Sequence, residues 1–172
     1  MPISETEALA LVDAIEQVSK GQPADTALKL VEMALVRAPQ QPLVLNAAGG
    51  YMYRNGNARR ARDLFEKAVA VDGNSKVLWL NLANACRTLG DKKSAAQALE
   101  KALAIDPRYV LALLLMRRKR LKFEEARYEG DQEVLQLRCA KTGAQHRIVN
   151  PRLSEVEMGA VQEEVFKVLG WR

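Results

Sequence analysis

The chain has few of the residues that catalytic chemistry uses. It contains two cysteines, Cys86 and Cys139, and a single histidine, His146. The cysteines are 53 residues apart, which gives neither a zinc-ligand spacing nor a disulfide framework. We interpret His146 as a surface residue and both cysteines as small apolar residues. We therefore predict that the protein is not an enzyme and that it holds no cofactor and no metal.

Long apolar runs and aromatic residues are also scarce. No run reaches the ~18 residues that a membrane-spanning helix needs, so no membrane partner is expected. Aromatic residues make up only 5% of the 172 residues, and alanine and leucine dominate instead, which favours closely packed helices. The first residues, MPISETEALALV, are acidic rather than basic and do not resemble a secretory signal. A cytoplasmic location is the expectation.

The positive charge lies mainly in one short stretch. The net charge is +5, and residues 117–122, RRKRLK, carry five positive charges by themselves. Nucleic-acid-binding proteins usually spread basic residues over a face, and only Phe123 and Tyr128 lie near the cluster for stacking on bases. Weak nucleic-acid binding through this cluster is therefore a secondary hypothesis, and a solvated helix end is the favoured interpretation.

One segment recurs at a fixed interval along the chain. EKAVAVDG begins at Glu66 and EKALAIDP at Glu100, which is 34 residues later, and a looser copy, VEMALVRAP, begins at Val31 in the same register. A period of this length is typical of stacked helix hairpins. Gly56 and Gly90 are spaced to end the first helix of a hairpin, since glycine readily adopts the left-handed backbone found there.

The pattern resembles the tetratricopeptide repeat. That family has a large apolar residue at position 4, leucine and a small residue at 7 and 8, small residues at 20 and 27, and proline at 32. The unit 76–109 matches almost throughout, although Cys86 replaces the usual aromatic residue. The unit 42–75 departs from the pattern at positions 4, 7 and 32, and the weaker unit 8–41 has Ile15 where a small residue is expected.

The resemblance implies a mainly all-α fold, an α-solenoid of about three helix hairpins plus a capping helix. We assign residues 1–127 to this repeat domain, with units at about 8–41, 42–75 and 76–109. Residues 110–127 form the predicted capping helix, because Arg117 stands where a fourth unit needs a small residue. Residues 128–172 form a short C-terminal extension.

The extension does not follow the repeat. Val134 to Cys139 alternates like a strand, and Arg147 to Val149 would return as a second strand after a turn. A helix that ends at Gly143 is the alternative, because short apolar runs are ambiguous. Ser154 with Glu157 predicts a capping box at the start of a final helix. The apolar stripe predicted for this helix consists of Val156, Ala160, Val161, Val165, Val168 and Leu169. The sequence leaves open a β-hairpin followed by a helix and an all-helical tail.

The resemblance also implies a concave groove that binds a peptide segment of a partner protein. By register, the groove residues are Asn46, Tyr53, Arg54, Leu80, Asn84, Arg87, Leu114 and Arg118. The first unit offers Val12, Glu16 and Lys20. Asparagine can hydrogen-bond an extended backbone, and arginine can bind a carboxylate with two parallel hydrogen bonds.

Co-chaperones of this family that bind acidic chaperone tails use a carboxylate clamp of lysine, asparagine and arginine at fixed positions. Here Asn81 matches the middle clamp position, but Asn46 and Gly50 stand at the first two positions, and Leu111 and Leu115 at the last two. We expect no tight binding to such tails.

The favoured function is therefore a protein-interaction module, namely an adaptor, chaperone or assembly factor. One alternative is a non-catalytic regulatory or substrate-binding piece associated with a larger enzyme. Self-association through the C-terminal extension is a further option for the partner.

Overall fold

The computed structural model describes residues 3–21, 23–118, 121–139, 142–151, 154–157, 159–160 and 163. The helices are α1 (Glu5–Gly21), α2 (Ala24–Arg37), α3 (Pro42–Arg54), α4 (Ala58–Val71), α5 (Lys76–Thr88), α6 (Lys92–Ile105) and α7 (Pro107–Arg118). The strands are β1 (Leu121–Glu129), β2 (Gln132–Cys139) and β3 (Gln145–Val149). The predicted, mainly helical architecture is confirmed, and the extension contains the predicted β-hairpin within a three-stranded sheet.

The turns inside the hairpins follow from local sequence. Gly56 and Gly90 both have a φ angle of +80°, which glycine adopts without the steric cost that a Cβ brings. The next residues, Asn57 and Asp91, cap the following helices, because each side chain accepts a hydrogen bond from the backbone N–H three residues later. The second and third hairpins therefore turn in the same way.

Small residues let the helices of a hairpin approach closely. Ala61, Ala68 and Ala102 are fully buried. A Cβ built on Gly49 would lie 2.6 Å from a ring atom of Phe65, so α3 and α4 pack at a distance that only glycine permits. The repeat positions that the sequence marks as small are the close contacts between helices.

The capping helix is shorter than predicted. We expected helix from residue 110 to residue 127, but α7 ends at Arg118 and β1 begins at Leu121. Seven of the nine residues in the β1 sequence, LKFEEARYE, are leucine, lysine, glutamate, alanine or arginine, which favour helix by local propensity. Pairing with β2 overrides that preference, so the sheet begins inside the range that we assigned to the repeat domain.

The sheet is antiparallel with the order β1, β2, β3. A two-residue turn at Gly130 and Asp131 joins β1 to β2, and a register shift between Phe123 and Glu125 marks a bulge in β1. Ala126, Leu135 and Leu137 are buried and share an apolar cluster with α5, α6 and α7. One face of the sheet therefore packs on the repeat array.

The chain after β3 is held by polar contacts. Asn150, at a φ angle of +46°, exchanges hydrogen bonds with the backbone of Glu133. The predicted capping box is present, since the Ser154 hydroxyl and the Glu157 carboxylate each accept the other's backbone N–H. Val156, which we expected on an apolar stripe of this segment, is instead exposed. Ala160, another residue of the predicted stripe, is also exposed, and the stripe residues from Val161 onward lie outside the described residues. Within the described part of the chain, no helix is long and apolar enough to cross a membrane.

Candidate functional site: the concave face of the repeats

The C-terminal sheet lies against the side of the array that the first helices of the hairpins form. Strand β1 contacts α3, α5 and α7. Leu80 and Asn84 of α5 and Asn46 of α3, all predicted groove residues, are buried at 5% exposure or less. Asn46 and Leu80 thus face the chain's own sheet rather than solvent, whereas Arg87, on the same helix as Leu80, is exposed.

Asn46 binds the backbone of β1. Its Nδ2 donates to the carbonyl oxygen of Ala126 at 3.1 Å, and its Oδ1 accepts from Asn81 Nδ2 at 2.7 Å. Both asparagines are buried, and each of these hydrogen bonds therefore satisfies groups that water cannot reach. Asn81 fixes the orientation of the Asn46 amide, and the amide in turn fixes the strand.

The hairpin geometry explains why the Ala126 carbonyl is available. Residues that flank a two-residue turn form a hydrogen-bonded pair, and hydrogen-bonded and non-hydrogen-bonded pairs alternate along the strands. Glu129 and Gln132 flank the turn, and Ala126 pairs with Leu135. Glu129–Gln132 is the first, hydrogen-bonded pair, and Ala126–Leu135 is the fourth, which is a non-hydrogen-bonded pair. The Ala126 carbonyl therefore points away from β2 and towards α3.

A lysine ties the sheet to the repeats at a second point. Lys76 Nζ lies 2.6 Å from Asp106 Oδ2 and 2.7 Å from Glu133 Oε1, and 4.4 Å from the centre of the Tyr109 ring. Asp106 immediately precedes α7, and Glu133 belongs to β2. This ion-pair cluster joins α5, the start of α7 and the sheet.

The cluster shifts the ionisation of its members. Burial by itself lowers the pKa of Lys76, but hydrogen bonds to Asp106 and Glu133 outweigh burial and raise that pKa above its ordinary value. Burial likewise favours the neutral form of Asp106, but hydrogen bonds from Lys76 and from the backbone N–H of Tyr109 lower the pKa of the carboxyl. Both groups are therefore charged at neutral pH.

A pocket of about 100 Å³ lies between β1 and the first helices of the three hairpins, α1, α3 and α5. Its apolar lining comes from Leu9 and Val12 of α1, Leu43 and Ala47 of α3, Leu78 of α5 and Ala126 of β1. Leu9 is 38% exposed at the rim. The pocket is therefore an apolar space next to the strand that Asn46 holds.

Comparisons with known proteins agree with the helical geometry. Residues 52–118 match the model of the tetratricopeptide repeat family. These residues form a tetratricopeptide-repeat region. No curated protein sequence matches it significantly.

Solved structures show the same tetratricopeptide fold. The tetratricopeptide domain of Sgt2 from Aspergillus fumigatus is 24% identical, with a TM-score of 0.54 over 62% of this chain and 69% of that chain. The first such domain of Spaghetti (RPAP3), bound to the HSP90 peptide SRMEEVD, is 18% identical, with a TM-score of 0.55 over 62% and 85% of the two chains. PcrH from Pseudomonas aeruginosa is 17% identical, with a TM-score of 0.53 over 61% and 80%.

The remaining predicted groove residues of the tetratricopeptide array have varied surroundings. Tyr53 is half-buried and its hydroxyl hydrogen-bonds the Thr88 hydroxyl at 2.9 Å. Arg54 is half-buried and Arg87 is exposed. Leu114 packs at the edge of the cluster that includes the sheet. The side chain of Arg118 lies outside the described residues.

The concave side of the first repeat unit is partly exposed. Val12 is half-buried and lines the pocket, whereas Glu16 is buried. The side chain of Lys20 lies outside the described residues. The open part of the concave face is therefore apolar near Leu9 and Val12.

The groups considered for catalysis are dispersed. Cys86 is buried in the core, and burial, followed by nearby Asp91 and Glu66, raises the pKa of its thiol, which disfavours the reactive thiolate. His146 is exposed on β3, and Cys139 is half-buried at the end of β2. Among the residues that the structure describes, no three histidine, cysteine or acidic side chains are grouped to hold a metal ion.

Sequence reasoning missed the residues that connect the tetratricopeptide array to the sheet, which are Lys76, Asn81 and Ala126. The register placed Asn81 at a position of the carboxylate clamp, and nothing in the sequence connects it to its partner Asn46, which is 35 residues away. Ala126 lies 80 residues from Asn46, and no local pattern connects the two. Lys76 is the first residue of a repeat unit, and nothing in the sequence around it predicts an ion pair with a later strand.

Proposed function

We propose that the protein is a non-catalytic protein-interaction module, an adaptor, chaperone or assembly factor, that acts in the cytoplasm and binds an extended segment of a partner on its concave face. One observation carries the proposal. The face already holds an extended strand, β1, through the hydrogen bond from Asn46 to the Ala126 carbonyl. A side-chain amide that donates to a backbone carbonyl binds extended polypeptide whatever the side chains are.

The apolar pocket adds a means of selecting among extended segments. Peptide-binding proteins of this kind obtain affinity from backbone hydrogen bonds and specificity from pockets for individual side chains. Here the backbone contact at Asn46 and the pocket lined by Leu9 and Val12 adjoin each other. Together they can bind a backbone and accept one apolar side chain.

The bound peptide in the Spaghetti (RPAP3) structure supports peptide binding as an activity of this fold. We do not propose that this chain binds the same acidic HSP90 peptide. The chain lacks most of the clamp residues for acidic tails, because Asn46 and Gly50, which are both buried, occupy the first two clamp positions. We expect an apolar rather than an acidic segment as ligand.

Site-specific photo-crosslinking tests the proposal. A photoreactive residue replaces Leu9 at the rim of the pocket, and the matched control replaces Val36, which is 81% exposed on α2 outside the pocket. We expect a cellular protein that cross-links at position 9 and not at position 36. A synthetic peptide with the cross-linked segment should bind the full chain, and Val12→Asp should weaken that binding while Val36→Asp leaves it unchanged. Equal cross-linking at both positions contradicts the proposal.

A further inference from the structure

Strand β1 is held on the concave face by contacts that recognise a backbone. Asn46 donates to a carbonyl oxygen, and Asn81 holds the Asn46 amide in place. Neither contact depends on the side chain of the strand residue concerned. Another extended segment can therefore make the same hydrogen bond.

The fit of β1 to the face is incomplete at this point. Among the β1 side chains that the structure describes, Ala126 lines the pocket of about 100 Å³, and alanine carries only a methyl group. An apolar cavity of ~150 Å³ holds a benzene ring, so the space beside Ala126 is large enough for a branched aliphatic group. The strand that occupies the face thus leaves unused the contacts that such a side chain would make.

The sheet can also leave the face without losing its own pairing. The pairs between β1, β2 and β3 are internal to the sheet. The ion pair between Lys76 and Glu133 lies at its border, where both side chains keep some exposure, 15% and 17%. Release of the sheet breaks the contacts of Asn46, Lys76 and the shared apolar cluster, while the repeat hairpins and the sheet each keep their backbone hydrogen bonds.

We propose that β1 is an internal ligand of the concave face, and that a partner binds by displacing it with an extended segment that presents a branched aliphatic side chain at the position of Ala126. This inference rests on the proposed function and specifies it. The Asn46 amide supplies the backbone contact for either strand. The pocket lined by Leu9, Val12 and Leu43 discriminates between them.

Two synthetic peptides test the inference directly. One has the β1 sequence, LKFEEARYE, and the other is LKFEELRYE, with leucine at the position of Ala126. Each carries a fluorophore, and fluorescence anisotropy measures its binding to the full chain. One buried methylene is worth roughly fourfold in an equilibrium constant. Leucine adds three carbon atoms to alanine, worth about sixtyfold at full burial, so we expect the leucine peptide to bind at least about tenfold more tightly. Equal affinities, or no binding of the leucine peptide at about 1 mM, overturn the inference.

Variants of the full chain shift the competition in both directions. Glu133→Gln removes the ion pair with Lys76 and should increase the affinity for the leucine peptide. Ala126→Leu fills the pocket from within and should weaken the binding of that peptide about tenfold while raising the unfolding temperature of the chain. Ala126→Val, with a smaller side chain, gives the same test if leucine does not pack. An unchanged peptide affinity in all three variants overturns the inference.

Hydrogen exchange separates this inference from the proposed function. Saturation of the full chain with the leucine peptide should lower the protection of amides in β1 and β2 but not in α3 to α6. If the peptide binds and the sheet keeps its protection, displacement is wrong and peptide binding on the repeats stands. If cross-linking at position 9 also fails, the proposed function falls with it.

Discussion

Replacement of Asn46 by aspartate changes one group at the contact between the repeats and the sheet. The Oδ1 of Asn46 can still accept from Asn81, but an oxygen takes the place of the Nδ2 that donates to Ala126 at 3.1 Å. An ionised carboxylate would face the carbonyl oxygen with no proton between them. Only a protonated Asp at this position can donate to the strand, so Asn46→Asp should make the docking of the sheet depend on pH.

The magnitude follows from burial. Residue 46 is 5% exposed, and burial raises the pKa of a carboxyl by up to 3–5 units. The hydrogen bond from Asn81 favours the charged form and offsets part of this increase. A net rise of about two units above the ordinary value of about 3.9 corresponds to about 3 kcal/mol at neutral pH. For a chain of this size, that lowers the unfolding temperature by roughly 6–12 °C.

Urea unfolding followed by circular dichroism measures the effect. Because the folded-state pKa is raised, the destabilisation is complete above that pKa and disappears as the pH falls towards about 3.9. We expect Asn46→Asp to be much less stable than the wild type at pH 7 and close to it at pH 4. Asn74→Asp, at an exposed position, is the matched control and corrects for the acid sensitivity of the rest of the chain.

Two results would refute this reasoning. One is an Asn46→Asp variant as stable as Asn74→Asp at pH 7, since the Asn46 amide then contributes nothing to holding β1. The other is the same loss of stability at pH 7 and pH 4, which would locate the damage in packing rather than in the missing proton. Exchange of the β1 amides reports directly on the strand in both cases.

Two further predictions concern packing and charge. Gly49→Ala should destabilise the chain by about 1–2 kcal/mol, because overpacking against Phe65 costs more than the ~1 kcal/mol of helix propensity that alanine adds. Gly73→Ala is the control, since a Cβ there makes only an ordinary contact at 3.5 Å. Equal urea midpoints for the two variants would contradict the prediction. The lowered pKa of Asp106 predicts stability that is full above about pH 3.9 and lost as the pH falls through the folded-state pKa. The free energy of unfolding, measured as the pH is lowered, should fall less in Asp106→Asn than in the wild type, because Lys76 has no carboxylate partner at position 106 in the variant. The same pH dependence in both proteins would exclude a contribution of the Asp106 carboxylate to stability.

The helical repeats could be predicted because their signals are local and recur. Ala61, Ala68 and Ala102 mark close helix contacts at one spacing, and Gly56 and Gly90 mark the turns. Each of these requirements concerns residues within one hairpin or its neighbour. The structure places all five in the expected roles.

Strand β1 could not be predicted in the same way. Its sequence favours helix locally, and the bulge between Phe123 and Glu125 breaks the alternation that would have indicated a strand. Its partner β2 was predicted from the alternation at Leu135 and Leu137, which the structure confirms as buried. Pairing with β2 decides that β1 is a strand and not a helix. The sequence of β1 alone does not predict that pairing.

The candidate site was predicted in part. The register placed Asn46, Leu80 and Asn84 on the concave side. Asn46 does hydrogen-bond an extended backbone there, as expected for an asparagine at this position. Whether these residues bind a partner stays a prediction. The sequence did not predict that the chain's own strand β1 occupies this face. That arrangement depends on the hydrogen bond between Asn46 and Ala126, which are 80 residues apart, and no sequence motif connects them.

That separation along the chain also has a consequence in time. At ~5–20 residues per second of synthesis, a strand that lies 80 residues after Asn46 leaves the ribosome roughly 4–16 s later. The first hairpins, whose contacts are local, can fold within that interval. An extended segment that reaches the nascent chain during those seconds meets no competition from β1. The order of translation, and not affinity alone, then decides which polypeptide occupies the face first.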